Sequence, residues 1–216
     1  MPTVVDTMVL HYFLVVDRVE LLLELLDPPV SVPRIVFDPD DDQGVDAMVS
    51  ELRQNIRYEE RVANTPVPSH GEDTTLELES ARATAETRAE RLRGIEPLVE
   101  NGAIQVLDLT EDELDMVGRL TSREPDPALG ILVALQDGEA ACVAVAVERA
   151  WTLATDDGDA LRVLDRLAPD HPYERIRRLL IRGATDGLVT EAEANEIHEA
   201  MTRAGFWDRT QPFPEP

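Results

Sequence analysis

Four short apolar runs, set apart by sequence of helical pattern, constrain this chain more than any other feature. They are Thr3–Val5 before Asp6, Val30 to Phe37, Ile104 to Leu109, and Trp151 to Thr155 before Asp156 and Asp157. Each is short enough for a buried strand. Pro33 places the second at a sheet edge or a strand end. Between the first two, Leu10, Phe13, Leu14, Val19, Leu22, Leu23 and Leu26 recur at helical spacing, as one or two helices stopped by Asp27-Pro28-Pro29. Further helices are expected over 45–62, 76–92, 95–99, 110–120, 139–147, 159–167, 172–182 and 190–204. Asp38 to Asp42 reads as a loop, and Asn64 to Thr75, with Pro66, Pro68 and Gly71, as a turn-rich, flexible segment. Strands that alternate with helices define an α/β chain with a largely parallel sheet.

Composition narrows the function classes. The 216 residues carry 44 acids against 20 cations, every one of them Arg, for a net charge of −24. That balance excludes a generally basic, phosphate-hugging surface. The excess is spread: 13 acids and 5 Arg in residues 1–63, 16 and 6 in 64–137, 15 and 9 in 138–216, so no acidic tail explains it. A solubilising surface and an Arg-rich codon usage account for most of the charge. The N-terminus lacks the basic start of a signal peptide and no apolar run reaches membrane length, so a cytoplasmic protein without a membrane partner is expected. One cysteine, Cys142, forms no internal disulfide, and its place in an apolar helix makes it an inert core residue.

A few acids stand where chemistry gathers. In parallel sheets, sites form beyond the carboxyl ends of the strands. Asp6 follows the first strand and Asp156 and Asp157 follow the fourth. Glu139 opens the apolar helix Glu139–Val147, which precedes that last strand. Clustered carboxylates repel unless a cation joins them, and Mg²⁺ and Mn²⁺ favour oxygen ligands. The alternatives are local: Asp6 as a helix cap, Glu139 as a partner of the helix dipole, and Asp156 to Asp159 as a turn and cap.

These residues carry a resemblance. Val4-Val5-Asp6-Thr7-Met8-Val9-Leu10 resembles the opening motif of PIN-domain nucleases, and Val32 to Asp38 their second strand. Asp137-Gly138-Glu139-Ala140 resembles a Gly-Glu-Ala motif of one PIN-like branch, and Trp151 to Asp157 that branch's last acidic strand. Gly187 to Trp207 resembles its appended helical hairpin. The resemblance covers residues 1–63 and 103–207. It implies a three-layer α/β/α domain over 1–168 with a twisted, largely parallel sheet. A helical insertion would occupy about 64–102, a C-terminal helical extension 169–207 and a tail 208–216. It also implies a metal-dependent endoribonuclease, toxin-like within a toxin–antitoxin pair or RNA-processing. RNA would be the substrate, an antitoxin protein a partner, and a homodimer the assembly. Asp6, Glu139 and Asp156 or Asp157 would hold Mg²⁺ or Mn²⁺.

Two positions depart from the family pattern. The family places a Glu just after the second strand, where this chain has Pro39 between Asp38 and Asp40. Either Asp is a candidate substitute, and Glu51, Glu59 and Glu60 are further ones. Met8 stands where a small polar residue is usual, which removes a donor that would orient ligands. These departures leave a catalytically degraded protein-binding module as a second reading, and a structure-specific DNA nuclease as a third.

Other signals are weaker. Asp186 to Glu193 imitates half a calcium loop, but Arg182 and Ala184 fall at ligand positions, so a helix turn with a Thr190/Glu193 capping box is expected. Thr110 and Glu113 form the same box. His11, His70, His171 and His198 show no ligand spacing. Residues 162–182 hold six Arg, of which Arg175, Arg178 and Arg182 share a helix face. That face suits RNA, an acidic partner, or pairing with the chain's own acids.

Overall fold

The computed structural model describes residues 1–26, 28–40, 50–66, 72–122, 124 and 134–214. Five strands form one sheet: β1 (Thr3–Val5), β2 (Val30–Pro33), β3 (Ile104–Leu107), β4 (Thr152–Ala154) and β5 (Tyr173–Glu174). Their order is β3-β2-β1-β4-β5 and every pairing is parallel. The chain is thus α/β with a fully parallel sheet. β1 lies at the centre, and the strand order reverses between it and β4. Loops leaving the carboxyl ends of these two strands diverge there and open a crevice.

Helices cover both faces. On one lie α6 (Glu111–Leu120), α7 (Asp137–Arg149) and α8 (Gly158–Leu167), with α7 against β1, β2 and β4. The other carries α1 (Thr7–Val15) and α2 (Val19–Leu25). Against these pack α3 (Glu51–Asn64), α4 (Glu72–Leu92), α9 (Ile176–Thr185) and α10 (Glu191–Arg203). A short α5 (Ile95–Glu100) leads into β3. Gly138 and Ala140 to Ala146 of α7 are all buried. Small side chains there let the helix lie close on the sheet, where Leu or Phe would hold it off. The break between α1 and α2 falls at Asp17, whose φ of 59° no helix continues through.

Several boundaries differ from the sequence reading for identifiable reasons. The second strand ends at Pro33, since Val36 and Phe37 donate their amides back to the Pro33 carbonyl in a turn. That turn receives α3: the amides of Glu51 and Leu52 bond the carbonyls of Ile35 and Val36. The helix expected from Pro172 starts at Ile176, because Tyr173 and Glu174 pair with Leu153 and Ala154 as the edge strand β5. The expected helix over 45–62 is seen from Glu51, and its first part lies outside the described residues, as do His70 and much of the turn-rich stretch. Both expected capping boxes form, Thr110 with Glu113 and Thr190 with Glu193.

One ion pair fastens α6 to α7. The Glu113 carboxylate is buried, accepts the Thr110 amide at 2.7 Å, and takes Arg149 Nε at 2.6 Å and Nη2 at 2.9 Å. Replacing Arg149 by Ala strands that charge, so unfolding in urea is expected to show a loss of about 2–3 kcal/mol. An unchanged midpoint would show that the pair contributes nothing.

Candidate functional site

An open cleft of about 1190 Å³ lies at the carboxyl ends of β1, β2 and β3. Asp6, Glu51 and Glu139 line one end, and Ile35, Leu107, Leu109, Leu114 and Val117 form an apolar wall. Asp6 leaves β1 directly into the N-cap position of α1, yet its side chain does not cap that helix. It is 3% exposed, and its Oδ2 accepts the hydroxyl of Thr155 at 2.8 Å. Thr155 directly follows β4, so this bond closes the switch point between the two strands. Burial pushes the Asp6 pKa up to about 7, with the Thr155 bond opposing and the charges of Glu139 and Glu51 adding.

Glu51 is the second acid. Its Oε1 accepts the amide of Gly138 at 3.1 Å, and its Oε2 accepts the hydroxyl of Thr7. Thr7 adjoins Asp6 and Gly138 adjoins Glu139, so Glu51 lies between the other two acids. A Cβ on residue 138 would fall 2.3–2.5 Å from the Glu51 carboxylate. Glycine there leaves the room in which Glu51 sits. Glu139 answers the Gln136 amide at 3.1 Å and completes the capping box of α7. Its pKa is raised chiefly by burial, the Gln136 amide opposing and the charges of Asp157 and Glu51 adding.

The remaining predicted residues divide. Asp157 caps α8, with Oδ1 accepting the amides of Asp159 and Ala160 at 2.7 Å each, and its charge reaches Glu139. Asp156 is engaged elsewhere: Oδ1 takes Arg175 Nε at 3.0 Å and Oδ2 the Ile176 amide at 2.7 Å. Asp38 lines the cleft but is held by Arg34 Nη1 at 2.8 Å and by the Asp40 amide at 3.0 Å. Asp40 lies 3.8 Å from the same Arg34, which also binds Asp108. Glu59 and Glu60 pair with Arg88 and Arg93. Arg182 is taken by Glu174 and the Leu25 carbonyl, and Arg178 donates to the Tyr173 carbonyl. Cys142 is buried beneath Asp6, its Sγ 3.7 Å from the Val5 carbonyl.

The donor set fits a hard divalent cation in kind: carboxylate oxygens, with the proton affinities of Asp6 and Glu139 raised chiefly by burial and further by neighbouring charge. Among the described residues, no three His, Cys, Asp or Glu side chains are drawn together closely enough to hold a metal as they stand. Thr155, Thr7 and Gly138 stand in the sequence motifs, but the motifs assign them no role, and it is they that hold the acids in place. The glycine directly before Glu139 was the available sign of a crowded approach.

No protein-family model, curated protein or solved structure matches the chain. No helix among the described residues is long and apolar enough to cross a membrane.

Two expectations test this geometry. Asp6 moves from an ordinary 3.8 to about 7, so the folded chain holds an extra proton between those values. Its contribution to stability therefore falls as pH rises through that window, by at most about 1.4 kcal/mol per unit. His11, lowered from 6.5 to about 4 by burial and then by the charge of Arg88, acts in the opposite direction. The difference between wild type and Asp6→Asn isolates the first group. Measured by chemical denaturation in EDTA, wild type is expected to lose ground to the variant from pH 4 to 7 and then level off, and a flat difference refutes the shift. The second is a mutant cycle. Gly138→Ala is expected to cost about 1–3 kcal/mol in wild type through overpacking, and nothing in a Glu51→Ala background, where the added methyl favours the helix. Equal effects in both backgrounds would deny the contact.

Proposed function

We propose that this chain is a PIN-like nuclease that hydrolyses phosphodiester bonds of RNA with the aid of Mg²⁺ or Mn²⁺. The observation that carries the reading is the convergence of Asp6, Glu51 and Glu139 on one cleft at the carboxyl ends of a parallel sheet, with Asp157 next in charge range. Support for the PIN-like assignment comes from the sequence motifs at these positions. Asp6, Glu51 and Glu139 would hold the ion, with Asp157 beside them. When bound, the ion ionises water and neutralises phosphoryl oxygens.

The chain's own groups do the positioning. Thr155 fixes Asp6 Oδ2, Thr7 and Gly138 fix Glu51, and the Gln136 amide fixes Glu139 Oε2. Each of these bonds orients a carboxylate at the cleft, and the acids would have to draw closer together to share an ion. The apolar wall of the cleft offers bases a surface away from water. The toxin-like role, an antitoxin partner and a homodimer belong to the same proposal and rest on the resemblance alone.

Purified protein is expected to cleave single-stranded RNA on addition of Mn²⁺, with EDTA abolishing the reaction. Asp6→Asn and Glu51→Gln are each expected to lose at least about a hundredfold. Asp157→Ala lowers activity, and Asp156→Asn lowers stability with less effect on rate. Cleavage that survives EDTA and Asp6→Asn would overturn the reading, and a preference for DNA over RNA at equal salt would redirect it to the DNA nuclease. A second reading has an observation of its own: both Glu51 oxygens are satisfied within the chain, and Met8 lines the cleft. On that reading the fold binds a protein partner without catalysis, and calorimetry with millimolar Mn²⁺ gives no heat.

A further inference from the structure

Beyond the cleft, the carboxyl edge of the sheet continues across β4 to β5. There Trp207 is 56% exposed and Tyr173 is 41% exposed, large aromatic surfaces that a folded chain ordinarily covers. Each is overlaid by a guanidinium: Arg175 lies 5.6 Å from the Trp207 ring centre and Arg178 5.8 Å from that of Tyr173. Tyr173 and Arg175 alternate along the extended edge, so their side chains project to the same side, and Arg178 follows one turn into α9. Two arginine–aromatic pairs thus follow one another along the stretch from β5 into α9, with Trp207 joined to it through Arg175. It is framed rather than free: Asp156 neutralises Arg175, Asp208 lies in charge range of it, and Arg177 donates to the Gln211 carbonyl. The Trp207 ring also meets Phe206, with centroids 5.9 Å apart, and more than half of its residue surface stays exposed.

We propose that Trp207 and Tyr173, steadied by Arg175 and Arg178, form a stacking platform for single-stranded nucleic acid. Bases stack on aromatic faces without regard to sequence, and arginines beside the rings meet the backbone phosphates. In a chain of net charge −24 a strand cannot be drawn in by a broad basic surface, so contact depends on π faces set among arginines. The placement is suitable. β5, β4 and β1 are successive neighbours, so two strand spacings, roughly 10 Å, separate the patch from the acids beyond β1. A strand crossing the switch point runs from the cleft onto Trp207. The platform takes the identity of its ligand from the nuclease reading and takes nothing else from it.

Binding is tested without catalysis, in EDTA on the full chain carrying Asp6→Asn. Trp151→Phe is added so that Trp207 is the sole tryptophan. Titration with an oligouridylate of about twelve nucleotides is expected to quench Trp207 emission saturably. Followed by anisotropy of labelled RNA, Trp207→Ala and Tyr173→Ala are each expected to weaken binding about tenfold. Trp207→Phe keeps most of the affinity, and Arg178→Ala lowers the salt slope by about one. Thermal melts of each variant separate lost binding from lost fold, and the conservative Phe variant decides the matter if the Ala variant melts early. No quenching, equal affinity in Trp207→Ala, or duplex RNA bound as tightly as single strand would each overturn the platform and leave an acidic-protein contact as the use of the patch. Mn²⁺-dependent cleavage unaffected by Trp207→Ala would sink the platform and leave the nuclease standing; oligouridylate binding without any cleavage would do the reverse.

Discussion

The close seat of α7 on the sheet is the constraint from which the rest follows. A run of Gly, Ala, Val and Cys removes nearly all side-chain thickness from one face of that helix, and β1, β2 and β4 lie directly beneath it. The approach carries the N-terminus of α7 to the carboxyl end of β1, which brings Glu139 toward Asp6. It also exposes the amide of Gly138 to the cleft, where the carboxylate of Glu51 lies against it. Apolar contact sets the backbone distance, and that distance sets which charges must coexist.

Electrostatics then take over at short range. Asp6 and Glu139 are acids whose folded environment disfavours their charge, burial being the larger cause in both. Asp6 is answered by the Thr155 hydroxyl and the Thr7 amide and Glu139 by the Gln136 amide, which limits the penalty without removing it. Most other acids of the described chain have no such conflict. They stand in solvent or against arginines, as Glu113 does with Arg149; the pKa of Asp156 is raised chiefly by burial, with the Ile176 amide and Arg175 opposing. The large negative charge of the sequence is thus two different things: a dispersed, solvated majority and a small enclosed group.

What was legible in the sequence was whatever depends on near neighbours in the chain. The four main strands and the two capping boxes follow from apolar spacing and turn chemistry, while the apolar spacing before Asp27 left one helix or two open and the break at Asp17 comes from its positive φ. Asp6 and Glu139 were legible because each adjoins an element whose end faces the sheet edge. Glu51 was only one of several acids, since its place depends on a turn at Val36 and Phe37 that hands the chain into α3. Between Asp156 and Asp157 the sequence offered no choice; the partner that separates them, Arg175, lies 19 positions on. The strand at Tyr173 and Glu174 escaped for a related reason, two residues being too few to show a period. The arginines of α9 matched a helix face in spacing, but their partners come from other elements.

The bond between Asp156 and α9 has a consequence for how the chain divides. Asp156 lies just beyond the strand next to β1, and its carboxylate is enclosed by Arg175 and the first amide of α9. The sheet itself continues to Tyr173 and Glu174, while Asn195 of α10 clasps Phe213 by both backbone groups. A chain cut after Ala168 would surrender an edge strand, leave the Asp156 carboxylate without its two partners beside the switch point and bare the flank of α1 and α2. The helices after β5 are therefore a wall of the same building, and the acids at its centre stand only while that wall does.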